Sequence, residues 1–270
     1  MFIPQTLKSS VALAGVGLHS GLPCRVEIHP RRSFGRVFIC DGISIPALVE
    51  YTTETPRCTT LAHDGATVSM VEHLLAALLL AGVDNAEILV DGAEIPVLDG
   101  GGATWYQEIS AAGICAADGE IAEIAIQEAQ WISCGESEFF LCPADGLSVY
   151  AAISFPGTVA ECQMAGGGTD DAEVRGQIIR ARTFALEREV RELLDANLAH
   201  GGSLQTAVIL CGDGYLNEHV WPLEPAWHKV LDLLGDLALV GTRLRGHITA
   251  VRGGHRSHIA LARQLRKSGG

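Results

Sequence analysis

The stretch HKVLDLLGD, residues 228–236, places His228, Asp232 and Asp236 at intervals of four, with mostly apolar residues between them. On an α-helix, residues i and i+4 lie about 40° apart around the axis, so these side chains form a slanted polar line. A helix that is apolar on nearly all its other positions is typically buried. The sequence therefore predicts a buried helix at about 226–241 whose polar line faces a specific partner.

A metal ion is one candidate partner, because an imidazole and a carboxylate at i and i+4 can reach the same ion. The alternative is a solvated helix edge with a salt bridge. The apolar helix predicted at 68–82 carries Glu72 and His73, and a buried charge without a partner is costly. Catalytic zinc usually has three protein ligands and a water. His73 would complete a set with His228 and Asp232, and Glu72 would lie beside the reactive water.

His255 follows two glycines in RGGHRSH and begins the last predicted helix. It is either a surface residue at a helix N-terminus or a cationic side chain facing a charged reaction intermediate. Asp236 could keep this imidazole protonated, since a nearby carboxylate favours the charged form.

The composition bounds the class of protein. The 270 residues are 48% hydrophobic and 19% charged, as in globular proteins, and the net charge of −13 argues against nucleic acid as a partner. The eight cysteines include no CxxC pair, which favours reduced thiols in a cytoplasmic protein. Residues 68–82 are too short and too polar at Glu72 and His73 to suggest a transmembrane segment.

Strand-like and helical patterns alternate in both halves, which predicts an α+β fold of two related domains, 1–117 and 121–270, with antiparallel-type strands. The pattern also predicts local features: helices at 103–112, 188–202 and 255–267 and a loop at 165–173.

Taken together, these motifs resemble the UDP-3-O-acyl-N-acetylglucosamine deacetylase family (LpxC), and they keep the family's order along the chain. The matching stretches are GVGLHSG (15–21), CTTL (58–61), VEHLLAAL (71–78), DNAEILVDGAEIPVLDG (84–100), RARTFAL (180–186), GGSLQTAVI (201–209), HKVLDLLGDLAL (228–239) and GGH (253–255).

The resemblance implies a helix layer between two sheets and removal of the N-acetyl group from a UDP-linked acylated amino sugar in lipid A biosynthesis. It also implies residue roles: zinc ligands His73, His228 and Asp232; general base Glu72; stabiliser or acid His255, oriented by Asp236; oxyanion contact Thr183; substrate contacts Lys229 and Phe184. On a helix, however, Lys229 is turned about 100° from His228, away from the metal line.

The resemblance further implies that residues 186–202 are a βαβ insert forming an apolar passage for the acyl chain. Leu193 and Leu194 would line that passage, and ordinary core packing is the alternative reading of these leucines. The chain departs from the family pattern at 99–105, 154–159 and 256–258, outside the implied metal ligands and base.

Other functions stay open at this point. A catalytically idle paralogue could bind an acylated sugar nucleotide or a partner protein. A structural metal site could be closed by a fourth ligand, His255 or Asp236. The sequence leaves open the acyl-chain length, zinc against iron(II), and the oligomeric state.

Overall fold

The computed structural model describes residues 1–33, 35–53 and 57–268. The helices are α1 (Glu72–Leu80), α2 (Ala103–Ala112), α3 (Ala172–Arg180), α4 (Glu187–Asp195), α5 (Glu224–Leu237) and α6 (His255–Ser268), with 3₁₀ turns at Val49–Tyr51 and Ala238–Val240. The strands are β1 (Gln5–Leu7), β2 (Val11–Val16), β3 (Pro23–Pro30), β4 (Arg36–Cys40), β5 (Ile43–Pro46), β6 (Thr52–Thr53), β7 (Thr60–His63), β8 (Ala66–Ser69), β9 (Ala86–Asp91), β10 (Ile114–Ala116), β11 (Glu123–Ala125), β12 (Gln130–Cys134), β13 (Ser137–Cys142), β14 (Leu147–Ile153), β15 (Gln163–Gly168), β16 (Thr183–Leu186), β17 (Ala207–Leu210) and β18 (Arg243–Val251).

The two largest sheets have related strand orders. The first half forms β2-β3-β9-β4-β5, and the second forms β12-β13-β18-β14-β15 with β11 also paired to β18. The prediction of antiparallel-type strands is wrong at β4–β9 and β14–β18, which are parallel. Parallel neighbours need a long crossover. Here α1 lies between β4 and β9 in the chain, and α5 lies between β14 and β18.

A helical layer joins these sheets. Helix α1 packs against α5, and α5 also contacts β14, β15 and α6. One continuous apolar core contains residues of both sheets and of both helices, such as Phe38, Leu74, Leu234 and Ile248. The α+β class and the helix layer between sheets are confirmed. The division between 117 and 121 stays a prediction.

Gly235 brings α1 and α5 into close contact. A Cβ at this position would lie 2.1 Å from the Glu72 carbonyl oxygen, so only glycine lets the backbones approach this closely. The predicted helix at 68–82 is shorter than expected, because residues 66–69 pair with β7 as a strand.

The predicted loop at 165–173 is wrong. Residues up to Gly168 continue β15, which pairs with β14, and α3 begins at Ala172 after Asp171 caps its N-terminus. Glycines suggested a loop, but the strand requires them here. Gly166 has φ +150°, and a Cβ on Gly167 would lie 2.7 Å from the Val174 side chain.

Strands β16 and β17 pair in parallel with α4 between them, so the βαβ unit spans 183–210 rather than 186–202. The predicted helix 188–202 ends at Asp195, before the positive φ angles of Asn197 and Ala199. The following turn binds the first half of the chain, where the Gly201 amide donates to Leu18 O at 3.0 Å. Within the described residues, every helix is too short or too polar to cross a membrane.

Candidate metal centre and active site

The predicted ligands converge where the first turn of α1 meets α5. Asp232 Oδ1 lies 3.6 Å from His73 Nε2 and 3.2 Å from His228 Nε2. One candidate ligand atom from each of the three residues lies within 4.8 Å of the others, and all three side chains are buried. A solvated helix edge does not describe this arrangement.

The donor set suits a divalent ion. His228 Nδ1 lies 2.9 Å from the carbonyl oxygen of Ala181, which can only accept, so Nδ1 donates there and Nε2 is the nitrogen that faces the cluster. Burial opposes ionisation of Asp232, yet His228 and Lys229 hold its pKa well below the usual range. Neutral imidazole nitrogens and an ionised carboxylate are the ligands that zinc takes in hydrolytic sites.

Lys229 does not turn away from the metal line as its helical position suggested. Its Nζ folds back to lie 2.7 Å from Asp232 Oδ2 and 5.3 Å from the centroid of the Phe184 ring. The lysine therefore neutralises the outer oxygen of the candidate ligand and borders the same space as Phe184.

Glu72 lies beside His73 in the first turn of α1 and is 1% exposed. Its Oε2 accepts a hydrogen bond from the Thr59 amide at 3.1 Å, and Oε1 lies 3.8 Å from His255 Nε2. Burial raises the pKa of Glu72 above its usual range. A raised carboxyl pKa improves general-base chemistry near neutral pH.

His255 and Asp236 form the second part of the site. His255 Nδ1 donates to Asp236 Oδ2 at 2.9 Å. Burial alone would lower the pKa of His255, but Asp236 raises it to about 9, which favours the cation. The oxygens of Asp236 accept from Thr59, His255 and His258, and its nearest possible co-ligands are His255 and His258 rather than the three predicted ligands.

A cavity of about 720 Å³ opens from this centre and is walled mainly by apolar residues of β16, α4 and β17. Thr183, Phe184 and Lys229 line it near the ligands, and Leu193 and Leu194 line the α4 wall. Leu193 is buried, whereas Leu194 is 47% exposed. Every residue of the implied substrate set therefore borders one cavity.

Sequence reasoning assigned no role to two buried residues at this centre. Thr59 contacts both Glu72 and Asp236, and His258 Nδ1 lies 2.9 Å from Asp236 Oδ2. Burial lowers the pKa of His258, which favours the neutral ring. The spacing of His258, three residues after His255 on one helix face, was a signal in the sequence, whereas Thr59 had only its place in the CTTL motif.

Two imidazoles and a carboxylate, with a buried glutamate beside them and a cavity in front, are the arrangement found in metal-dependent hydrolases. The family model of LpxC, UDP-3-O-acyl N-acetylglycosamine deacetylase, matches residues 4–267, and the chain belongs to this family.

Curated relatives named UDP-3-O-acyl-N-acetylglucosamine deacetylase match most of this chain and most of their own length. A UDP-3-O-acyl-N-acetylglucosamine deacetylase of Nostoc sp. is 38% identical over 97% of this chain and 97% of its own. Proteins of that name from Leptospira biflexa and Myxococcus xanthus are each 35% identical, over 96% and 97% of this chain and 88% and 85% of theirs.

Proposed function

We propose that this chain is a zinc-dependent amidohydrolase that removes the N-acetyl group from UDP-3-O-acyl-N-acetylglucosamine in lipid A biosynthesis. The convergence of His73 from α1 with His228 and Asp232 from α5 carries the proposal. Family membership supports the deacetylase activity and the substrate class. Eight free thiols, all within the described residues, support a cytoplasmic setting.

The chain's own side chains supply proton transfer and charge stabilisation. Zinc held by the three ligands would supply Lewis-acid chemistry to the attacking water and the amide carbonyl. Glu72 takes a proton from the water as its oxygen bonds to the amide carbon. The Thr183 hydroxyl donates to the carbonyl oxygen as negative charge develops there. The C–N bond then breaks, Glu72 or His255 protonates the amine, and acetate leaves.

Substrate binding follows the lining of the cavity. The apolar wall that contains Leu193 and Leu194 would hold the acyl chain, and Lys229 and Phe184, which line the same cavity, would contact the sugar end. Of the segments that depart from the family pattern, 154–159 contributes Phe155 to the cavity wall. A changed contact there would alter substrate fit without touching the metal ligands.

Metal analysis followed by an acetate-release assay tests the proposal. The purified protein should contain about one metal ion per chain and release acetate from UDP-3-O-acyl-N-acetylglucosamine. Loading the metal-free protein with zinc or with iron(II) identifies the active ion. An idle paralogue would bind the sugar nucleotide without turnover. A structural metal site would give no acetate and would unfold when the ion is removed.

A further inference from the structure

We propose that Thr59 is a positioning residue for the deacetylation. Its hydroxyl fixes the carboxylate of Asp236 and thereby holds the His255 ring in position relative to Glu72. This inference rests on the proposed function, because His255 and Glu72 are the groups that it orients. Thr59 is not among the residues that line the cavity, so it acts through the carboxylate of Asp236.

The contacts of Thr59 join both parts of the site. It lies immediately before β7 and is 3% exposed. Its backbone amide donates to Glu72 Oε2 at 3.1 Å, and its hydroxyl lies 2.5 Å from Asp236 Oδ1 and 3.3 Å from His255 Nδ1. One residue from the first half of the chain therefore touches the proposed base, which lies on α1, and the aspartate–histidine pair contributed by α5 and α6.

The direction of the hydroxyl hydrogen bond is fixed by chemistry. An ionised carboxylate only accepts, so the single proton of the Thr59 hydroxyl points to Asp236 Oδ1. The lone pairs of that hydroxyl then face His255. The Nδ1–H of His255 already donates to Asp236 Oδ2. A methyl group in place of this hydroxyl could neither donate to Asp236 nor present a lone pair to His255.

The two carboxylate oxygens of Asp236 differ in their number of hydrogen-bond donors. Oδ2 accepts from both His255 and His258 at 2.9 Å. Among the residues that the structure describes, Oδ1 has the Thr59 hydroxyl as its hydrogen-bond partner. Asp236 is fully buried, and a buried carboxylate oxygen without a donor is strongly disfavoured. Without this hydroxyl, the carboxylate would rotate to share the remaining donors, and the His255 ring would turn with it.

The next residue in the chain offers a matched control. Thr60 is buried too, but its hydroxyl is paired with Cys58 Sγ at 3.9 Å and makes no contact with Glu72, Asp236 or His255. Thr59→Val and Thr60→Val remove the same atom from neighbouring buried positions. Thr59→Ser keeps the hydroxyl and loses only a methyl group.

The kinetic test compares these variants in the zinc-loaded enzyme. Thr59→Val should lower kcat for acetate release about tenfold or more, with KM changed less than about twofold, since small misplacements of catalytic groups act mainly on the chemical step. Thr59→Ser should recover most of the rate, and Thr60→Val should match the unaltered protein. Metal content should stay the same in every variant.

A spectroscopic test does not depend on turnover. In ¹⁵N-histidine-labelled protein, the imidazole signals of His255, assigned with His255→Gln, should shift in Thr59→Val and stay in place in Thr60→Val. The shift should occur with and without zinc. If unaltered protein released no acetate, the proposed function would fail while these spectra still tested Thr59. Equal kcat and equal spectra for the two valine variants would overturn the role of Thr59.

Discussion

At the scale of single residues, the burial of Glu72 decides its chemistry. The side chain is enclosed, receives a backbone amide hydrogen bond and has a raised pKa, so it can hold and return a proton close to the candidate metal ligands. A glutamine has nearly the same shape and can still accept from the Thr59 amide, but it cannot take a proton.

Glu72→Gln should therefore keep about one metal ion per chain and lose turnover by about 10²- to 10⁴-fold, the usual range for a general base. Metal analysis and acetate release on the same preparation measure both quantities. Glu108→Gln, at an exposed position of α2, is the control and should keep the full rate. A rate near that of the unaltered protein in Glu72→Gln would mean that another group takes the proton.

Single residues of the candidate site also show how much could be predicted from the sequence. His228 and Asp232 could be paired from the sequence because helical spacing alone puts them on one line, and the structure brings His73 to them. Thr59 could not be assigned, because its partner Asp236 is 177 positions away in the chain and only tertiary packing makes them neighbours. The spacing of His255 and His258 put them on one helix face, yet only the fold shows that both bond the same oxygen.

At the scale of elements, the periodic patterns of the sequence predicted the positions of helices well where burial alone determines the pattern. The apolar helices α1 and α5 and the last helix α6 were expected close to their observed positions. Strand β15 was missed because its glycines suggested a loop, whereas in the structure Gly166 packs closely against β14 and Gly167 against α3. Local sequence does not report how near a neighbouring element will lie.

Helix α4 is the element whose function is easiest to test. Its Leu194 lines the cavity and is 47% exposed, so a larger side chain can enter the passage without overfilling the core. We expect Leu194→Trp to raise KM for the acylated substrate about tenfold with little change in melting temperature. Leu22→Trp, 66% exposed and outside the residues that line this cavity, controls for an added indole. A loss of stability that matched the kinetic loss would instead support ordinary core packing.

At the scale of the whole molecule, the candidate metal centre depends on the distance between α1 and α5. One candidate ligand lies on α1 and two lie on α5, and Gly235 sets the spacing by contact with the Glu72 backbone. Any side chain at 235 would push the helices apart and separate His73 from its partners.

Gly235→Ala should lower the free energy of unfolding by about 1–3 kcal/mol, as for overpacked cores, and should also weaken metal binding. Denaturant unfolding of the metal-free protein and metal titration give the two values separately. Gly176→Ala on α3 has open space for its methyl group and should be neutral or slightly stabilising. Identical behaviour of the two alanine variants would show that α1 and α5 do not constrain each other.

The contact between Gly235 and Glu72 also bears on how such a protein can diverge among species. The ability to bind a metal ion depends on both helices together. A mutation that adds side-chain bulk to one helix at this contact therefore requires a compensating change in the other. A chimaera that took its front portion from one bacterium and its rear portion from another would keep the ion only if both parents had conserved the same helix-to-helix gap.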